Sequence, residues 1–194
     1  MLDTLLYYDE QLFALLHSHS SGSSFYQFLD FIAPYWRDKL FWVPVYVFVT
    51  ALLLINFGRK GFLALIFILI TVGISDIVAS KIIKPFVQRE RPCRHAAELH
   101  YKELVVCGNG YSFPSAHAAN HFAMAFIVGY IFKRRKKFWR YLLFSWATSI
   151  ALAQVYVGVH YPLDIFCGAI LGCLIAFAIS RLYQKAEMRG MTFL

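Results

Sequence analysis

Apolar residues dominate this chain in long uninterrupted runs, and the runs exceed what a soluble core requires. Leu40 to Phe57, Ser112 to Phe132, Tyr141 to Leu163 and Ile165 to Ser180 contain no Lys, Arg, Asp or Glu, and Gly61 to Ser80 is broken only by Asp76. A hydrocarbon core about 30 Å thick takes about 20 residues of helix at about 1.5 Å each. The pattern therefore predicts an all-α integral membrane helix bundle with five transmembrane helices, near 40–57, 61–83, 115–133, 139–158 and 162–183. Ahead of them, Leu2 to Leu16 is short and carries acids, which predicts an interfacial amphipathic helix, and His17 to Ser24 reads as a polar turn. Residues 25–33 form a second amphipathic piece ending near Pro34, with the alternative of dipping into the bilayer as part of a sixth span. The expected organisation is an N-terminal segment (1–38), a transmembrane bundle (39–185) with an outer loop (85–114), and a short tail (186–194). No basic n-region opens the chain, so no cleavable signal peptide is evident.

Composition agrees, with 59% hydrophobic residues and only 15% charged, against about 25% charged in an average soluble protein. A formal charge of +8 would suggest nucleic acid for a soluble protein. In a membrane protein basic loops report topology instead, and no nucleic-acid partner is expected. Lys133, Arg134, Arg135, Lys136, Lys137 and Arg140 lie between the third and fourth predicted helices, Arg59 and Lys60 between the first and second, and Arg181, Lys185 and Arg189 near the end. All three groups fall on one face, which should be cytoplasmic. Lys84, Arg89, Arg91, Arg94 and Lys102 fall on the opposite, extracytoplasmic face, where an anion to be bound would account for them.

Three clusters share that outer face. In the first, Lys84 and Arg91-Pro92 stand seven apart at a helix end, offering a point charge and a fork to a dianionic phosphate. In the second, Pro114-Ser115-Ala116-His117 opens a helix whose free N–H groups can hold phosphate oxygens. In the third, His160 and Asp164 are four apart, a spacing that lets the carboxylate accept from one ring nitrogen while the other faces substrate. Each alone is a weak signal, and Asp164 can equally cap a helix start beside Pro162. In this order and on one face they resemble the tripartite signature of the type 2 phosphatidic acid phosphatase superfamily: Lys-x6-Arg-Pro, then Pro-Ser-Gly-His, then Ser-Arg-x5-His-x3-Asp. The resemblance covers about residues 61–184.

The resemblance implies a membrane phosphatase acting on a lipid phosphate or lipid pyrophosphate without metal or other cofactor. His160 would be the nucleophile, Asp164 its partner and His117 the acid and base. Lys84, Arg91, Ser115, Ala116 and Gln154 would bind phosphate. Undecaprenyl pyrophosphate, phosphatidylglycerol phosphate, phosphatidic acid and lipid A phosphates are the family's substrates, and vanadate inhibition is expected. Two positions depart from the signature. Ala116 replaces the glycine, and Ala153-Gln154 replaces the Ser-Arg pair, so an amide stands where the family has a guanidinium. Arg89 or Arg94 is expected to supply the missing charge.

Other readings follow from single features. Gln154 motivates a catalytically weakened lipid-binding or transport protein. His117 and His121, four apart, motivate a metal-dependent hydrolase, though a bundle hydrogen bond is the simpler role for His121. Asp76 is expected to partner a polar group on a neighbouring helix. Cys93 and Cys107 flank the outer loop, where an oxidising compartment would let them form a disulfide, while Cys167 and Cys173 are expected to pack as small apolar residues. Trp36, Trp42, Trp139 and Tyr161 are expected in interfacial belts. The sequence carries no signal of oligomeric state.

Overall fold

The computed structural model describes residues 2–17, 23–95, 103–132 and 137–188. Lys102, the basic run Lys133 to Lys136 and Arg189 therefore lie outside the described residues, as does most of the predicted polar turn. Every regular element among the described residues is helical: α1 (Leu2–Leu16), α2 (Ser24–Trp36), α3 (Lys39–Ile77), a π-helical turn (Val78–Ile83), α4 (Lys84–Val87), a short 3-10 turn (Pro92–His95), α5 (Ala116–Ile131), α6 (Lys137–Tyr156) and α7 (Pro162–Met188).

Helix α3 is two arms. Gly58 interrupts it with φ 50° and ψ −126°, a backbone state that side-chain-bearing residues avoid. In a straight helix Leu53 and Gly61 would be about 12 Å apart. Here a methyl group on Gly61 would collide with the Leu53 carbonyl, so the chain doubles back. Tyr46 of the first arm and Asp76 of the second both reach the start of α5, through His121 (3.3 Å) and Asn120 (2.9 Å). The break lies beside Arg59 and Lys60, where the sequence separates its first two predicted helices.

Helices α5 and α7 pack backbone against backbone. A Cβ on Gly168 or Gly172 would run into the carbonyls of Ser115 and Ala119, and Ala118, Ala119 and Ala123 facing them are fully buried. Small residues four apart permit this approach. Beyond it, Leu53, Ala64, Ala123, Ile127, Ile131, Ala176 and Tyr183 form the apolar core, leaving the first turn of α5 free for polar work. The exterior stays apolar, with Phe48, Ile55, Phe62, Leu69, Phe166 and Leu174 exposed. Two stretches, Lys39–Val87 (with both arms of α3) and Pro162–Ala186, are long and apolar enough to cross a membrane.

The N-terminal helices are integrated more deeply than an interfacial segment requires. Asp9, Phe13 and His17 of the α1 segment are buried, and Phe13 meets Tyr161 edge to face at 5.4 Å. Helix α2 runs through Pro34 to Trp36 and lies on α6, where the Tyr156 hydroxyl donates to Asp30 at 2.8 Å. Trp36 and Trp42, half-buried at the outer end of the first predicted span, are tied to the bundle by their indoles. The Trp36 indole donates to Ser149 Oγ at 3.0 Å and that of Trp42 to the Trp36 carbonyl at 2.8 Å, and Trp42 stacks edge-on against Trp36 and Trp146.

Replacing Gly172 by valine should force α7 off α5 and lower the thermal midpoint of the detergent-solubilised protein, by on the order of 1–3 kcal/mol of stability. Gly73→Ala, where a Cβ meets nothing within 4 Å, should be neutral or slightly stabilising. Equal midpoints for the valine variant and the parent would contradict the close approach.

Candidate active site

The first cluster is shaped by a helix that ends irregularly. Pro85 has no N–H to give to the preceding turn, and the chain passes through the π-helical turn just before it, a geometry found mostly at functional sites. Gln88 then adopts the left-handed conformation and caps α4 through its N–H to the Lys84 carbonyl, 3.0 Å. The turn sends Arg91 back over the site. Lys84 Nζ donates to the carbonyls of Tyr111 (2.7 Å) and Ser112 (3.4 Å), and Arg91 donates to those of Gly110 (3.2 Å) and Val159 (3.1 Å). Both cations thus rest on neutral acceptors. Burial, and next the nearby Arg37 guanidinium, lower the Arg91 pKa.

The second cluster is tied to the first by Ser112, which donates from its N–H and hydroxyl to the Arg89 carbonyl and from its hydroxyl to that of Glu90. Ser115 is the N-cap of α5, its Oγ accepting from the Ala118 N–H at 3.4 Å. Its own N–H donates to the Asp164 carbonyl at 3.0 Å. Ala116 and His117 follow in the first turn, on the wall of the cavity described below.

The third cluster hangs from the end of α6. Gly158, at φ 81°, closes the helix: its N–H donates to the Val155 carbonyl, and that of Val159 to the Gln154 carbonyl, the Schellman pair. His160 follows in the connection to α7, only 2% exposed, with Asp164 fully buried below it. One Asp164 oxygen accepts from the Tyr161 N–H (2.9 Å), the other from Arg89 (2.8 Å). His160 Nδ1 stands 3.5 Å from Asp164 Oδ2, within reach but longer than a formed bond. Its Nε2 lies 3.5 Å from Arg91. Burial pushes the His160 pKa down to about 4, opposed by the Asp164 carboxylate and assisted by Arg91 and Lys84.

Arg89 does not take the role expected of it. Its guanidinium bridges Asp164 and Asp9 (2.7 Å) and lies over the Tyr161 ring at 3.9 Å, so it holds the carboxylate rather than facing substrate. Asp9 also accepts from the Leu163 N–H at 2.7 Å. Tyr161, expected in a belt, is buried beneath Arg89. Arg94 is exposed, 3.4 Å from the Gly110 carbonyl and 3.8 Å from Glu90. Neither arginine lines the cavity.

That cavity, ≈ 640 Å³, gathers Lys84, Arg91, Ala116, His117, Gln154 and His160 on one wall system. It adds residues that the motifs do not contain, namely Arg37, Lys39, Asp76, Ser80, Asn120 and His121. Arg37 and Lys39 stand at the outer end of the first predicted span, a position that could have marked them as further cations of the motif-bearing face. Gln154 is fully buried and neither amide atom has a hydrogen-bond partner. Asp76 accepts from Asn120 across helices, as expected of it. His121 Nδ1 donates to the His117 carbonyl at 2.7 Å, which leaves Nε2 to accept from the Tyr46 hydroxyl at 3.3 Å. Both its nitrogens are thereby used within the bundle. Among the described residues no group of three or more His, Cys, Asp or Glu is arranged to hold a metal ion. A disulfide joins Cys93 to Cys107, closing the loop two residues after Arg91, while Cys167 and Cys173 are free.

Residues 61–188 match the model of the PAP2 superfamily. The chain belongs to that superfamily. A protein titled lipid A 4'-phosphatase, from Bacteroides thetaiotaomicron, is 34% identical over 75% of this chain and 65% of its own length. A second of the same title, from Porphyromonas gingivalis, is 30% identical over 64% of this chain and 52% of its own. The chain thus spans between half and two thirds of the length of these relatives. The crystal structure of a transmembrane PAP2 type phosphatidylglycerolphosphate phosphatase from Bacillus subtilis superposes with a TM-score of 0.69 at 20% identity, over 94% of this chain and 87% of that one. A PAP2 fold shared with a transmembrane protein, on an exterior this apolar, makes the chain an integral membrane protein.

A ring held this far down in pKa stays neutral through physiological pH. The folded value lies below the usual 6.5, so the stability it represents is present above pH 6.5 and is lost as pH falls towards 4. Imidazole NMR of the ligand-free protein should show one histidine, missing in His160→Gln, that titrates near pH 4. A His160 midpoint at 6.5 or higher would contradict the buried site.

Proposed function

We propose that the protein hydrolyses a lipid phosphate or lipid pyrophosphate through a phosphohistidine intermediate, without a metal, at the extracytoplasmic surface of a five-helix membrane bundle. The observation that carries this reading is that two histidines and two cations from three distant motifs line a single cavity. The two arms of α3 with helices α5, α6 and α7 supply the five spans. The basic connections then lie on the cytoplasmic side.

His160 Nε2, neutral and facing Arg91, attacks phosphorus. The N–P bond forms as the bond to the lipid oxygen, or to the bridging oxygen of a pyrophosphate, breaks. Asp164 takes up the charge on the ring through Nδ1, and Arg89 keeps that carboxylate in place. His117, which lines the same cavity, gives its proton to the departing oxygen. It then accepts one from the water that cleaves the N–P bond, since acid and base roles reverse between the half-reactions. Lys84, Arg91 and the Ala116 N–H that opens α5 bind the equatorial oxygens, where charge is spread in the transition state, while the Ser115 N–H, expected to share that work, is held by the Asp164 carbonyl. Asp164 and the α7 start fix the ring's orientation; Gln154 adds neutral donors.

Phosphate release from a panel of phosphatidic acid, phosphatidylglycerol phosphate, undecaprenyl pyrophosphate and lipid A, by purified protein in chelator, tests this. At least one lipid should be turned over, with vanadate inhibiting and His160→Ala lowering turnover by about 10³-fold or more. Tight lipid binding without release would favour a binding or transport protein. Activity abolished by chelator and restored by a divalent cation would favour a metal-dependent hydrolase.

A further inference from the structure

The family signature has a guanidinium at position 154 and this chain has an amide, so the cavity lacks one cation from α6. Three arginines are close enough in sequence or space to make up the loss. Arg89 is spent on Asp9 and Asp164. Arg94 stands outside, beside Glu90. Arg37 differs from both: it lines the cavity, it forms no salt bridge with any described residue, and its Nε is buried with no hydrogen-bond partner. A desolvated guanidinium N–H without an acceptor is costly unless an anion completes it. Its neighbour Asp38 is engaged as N-cap of α3, accepting from the Leu40 N–H at 2.9 Å.

The backbone that presents Arg37 is held firmly. Arg37 is the C-cap of α2, and the residue before it, Trp36, is fixed to Ser149 of α6 and to Trp42 of α3. Asp30, one helix turn and a half earlier, holds Tyr156. This clamp seats the α2–α3 corner against the same helix, α6, that carries Gln154. The Arg37 charge is also felt at Arg91, whose pKa it depresses.

We propose that Arg37 is a phosphate-binding residue of this site, supplying from the α2–α3 corner the guanidinium that position 154 lacks. The inference rests on the phosphatase reading above. Arg37 precedes the region that matches the superfamily, so it is a feature of this chain's own N-terminal part. A bound phosphoryl group accepts from the Arg37 Nε and from the Gln154 amide, satisfying two buried groups that have no partner within the protein. Lys39 lines the same cavity but is exposed, and its contribution is correspondingly smaller.

The test uses full-length purified protein, with orthovanadate binding followed by vanadium NMR and lipid-phosphate turnover measured in parallel. Arg37→Ala and Arg37→Gln should each weaken vanadate binding about 10-fold or more and lower kcat/KM about 10²-fold, while Arg37→Lys keeps most of the binding. Adding Gln154→Arg to Arg37→Ala should recover at least part of both losses, which a purely structural role for Arg37 would not allow. If the parent neither binds vanadate nor releases phosphate from any lipid, the phosphatase reading fails and the inference with it. If the parent is active but Arg37→Ala and Arg37→Gln match it within about 2-fold, or Arg37→Lys falls as far as they do, the assignment of Arg37 alone is overturned.

Discussion

The site depends on one close contact between two helix backbones. Gly168 and Gly172 let α7 lie directly on the carbonyls of Ser115 and Ala119, and the Ser115 N–H donates to the Asp164 carbonyl across the same seam. The start of α5 and the start of α7 are thereby locked together. Because Ser115 begins one helix and Asp164 sits in the first turn of the other, the proposed acid His117 and the proposed nucleophile His160 inherit fixed positions in the lining of one cavity. No hydrophobic driving force separates helix from lipid in a bilayer, so close van der Waals packing of small residues is what the chain can use to set such geometry.

Charge is sorted with equal care. Arg89 takes up both Asp9 and Asp164, which removes two carboxylates from competition for the remaining cations. Lys84 and Arg91 are held by carbonyl oxygens, so their positions are set without their charge being neutralised. The cavity lining consequently holds four cations against one carboxylate, Asp76. Such a field suits a dianion, and in surroundings of low dielectric its attraction is large. Burial, assisted by Arg91 and Lys84, keeps His160 neutral before substrate arrives, the form in which Nε2 has a lone pair to offer.

Much of this was legible in the sequence because the relevant signals are local. Uninterrupted apolar runs gave the helices of the bundle, with α5, α6 and α7 starting or ending within a few residues of expectation. The break at Arg59 and Lys60 marked the doubling back at Gly58, although the helix is continuous enough there to be traced as one element. The spacing of Lys84 to Arg91 and of His160 to Asp164 pointed to three residues that line the cavity, Lys84, Arg91 and His160, and to Asp164 buried beside His160. What escaped were pairings between distant segments. Asp9 looked like an acid spoiling a short amphipathic helix, and only the fold brings it to Arg89, some eighty residues on. Tyr161 looked like a belt residue because composition does not reveal that its ring is buried beneath Arg89. Gly168 and Gly172 were visible as a small-residue pair in an apolar helix, a signal that went unused.

Those distant pairings give the N-terminal third of the chain a part in the chemistry. The superfamily match begins at residue 61, yet Asp9, Arg37 and Tyr46 precede it and touch, respectively, the Arg89–Asp164 pair, the cavity and His121. Helix α1 is coupled to the proposed nucleophile through a short chain of polar contacts, Asp9 to Arg89 to Asp164 to His160, with separations of 2.7, 2.8 and 3.5 Å. Buried ion pairs of this kind add little net stability but cost several kcal/mol when one member is lost. Displacing α1 would therefore leave Arg89 half-paired and Asp164 free to shift towards His160. An element that composition describes as interfacial thus sets the orientation of the ring on which the proposed reaction turns.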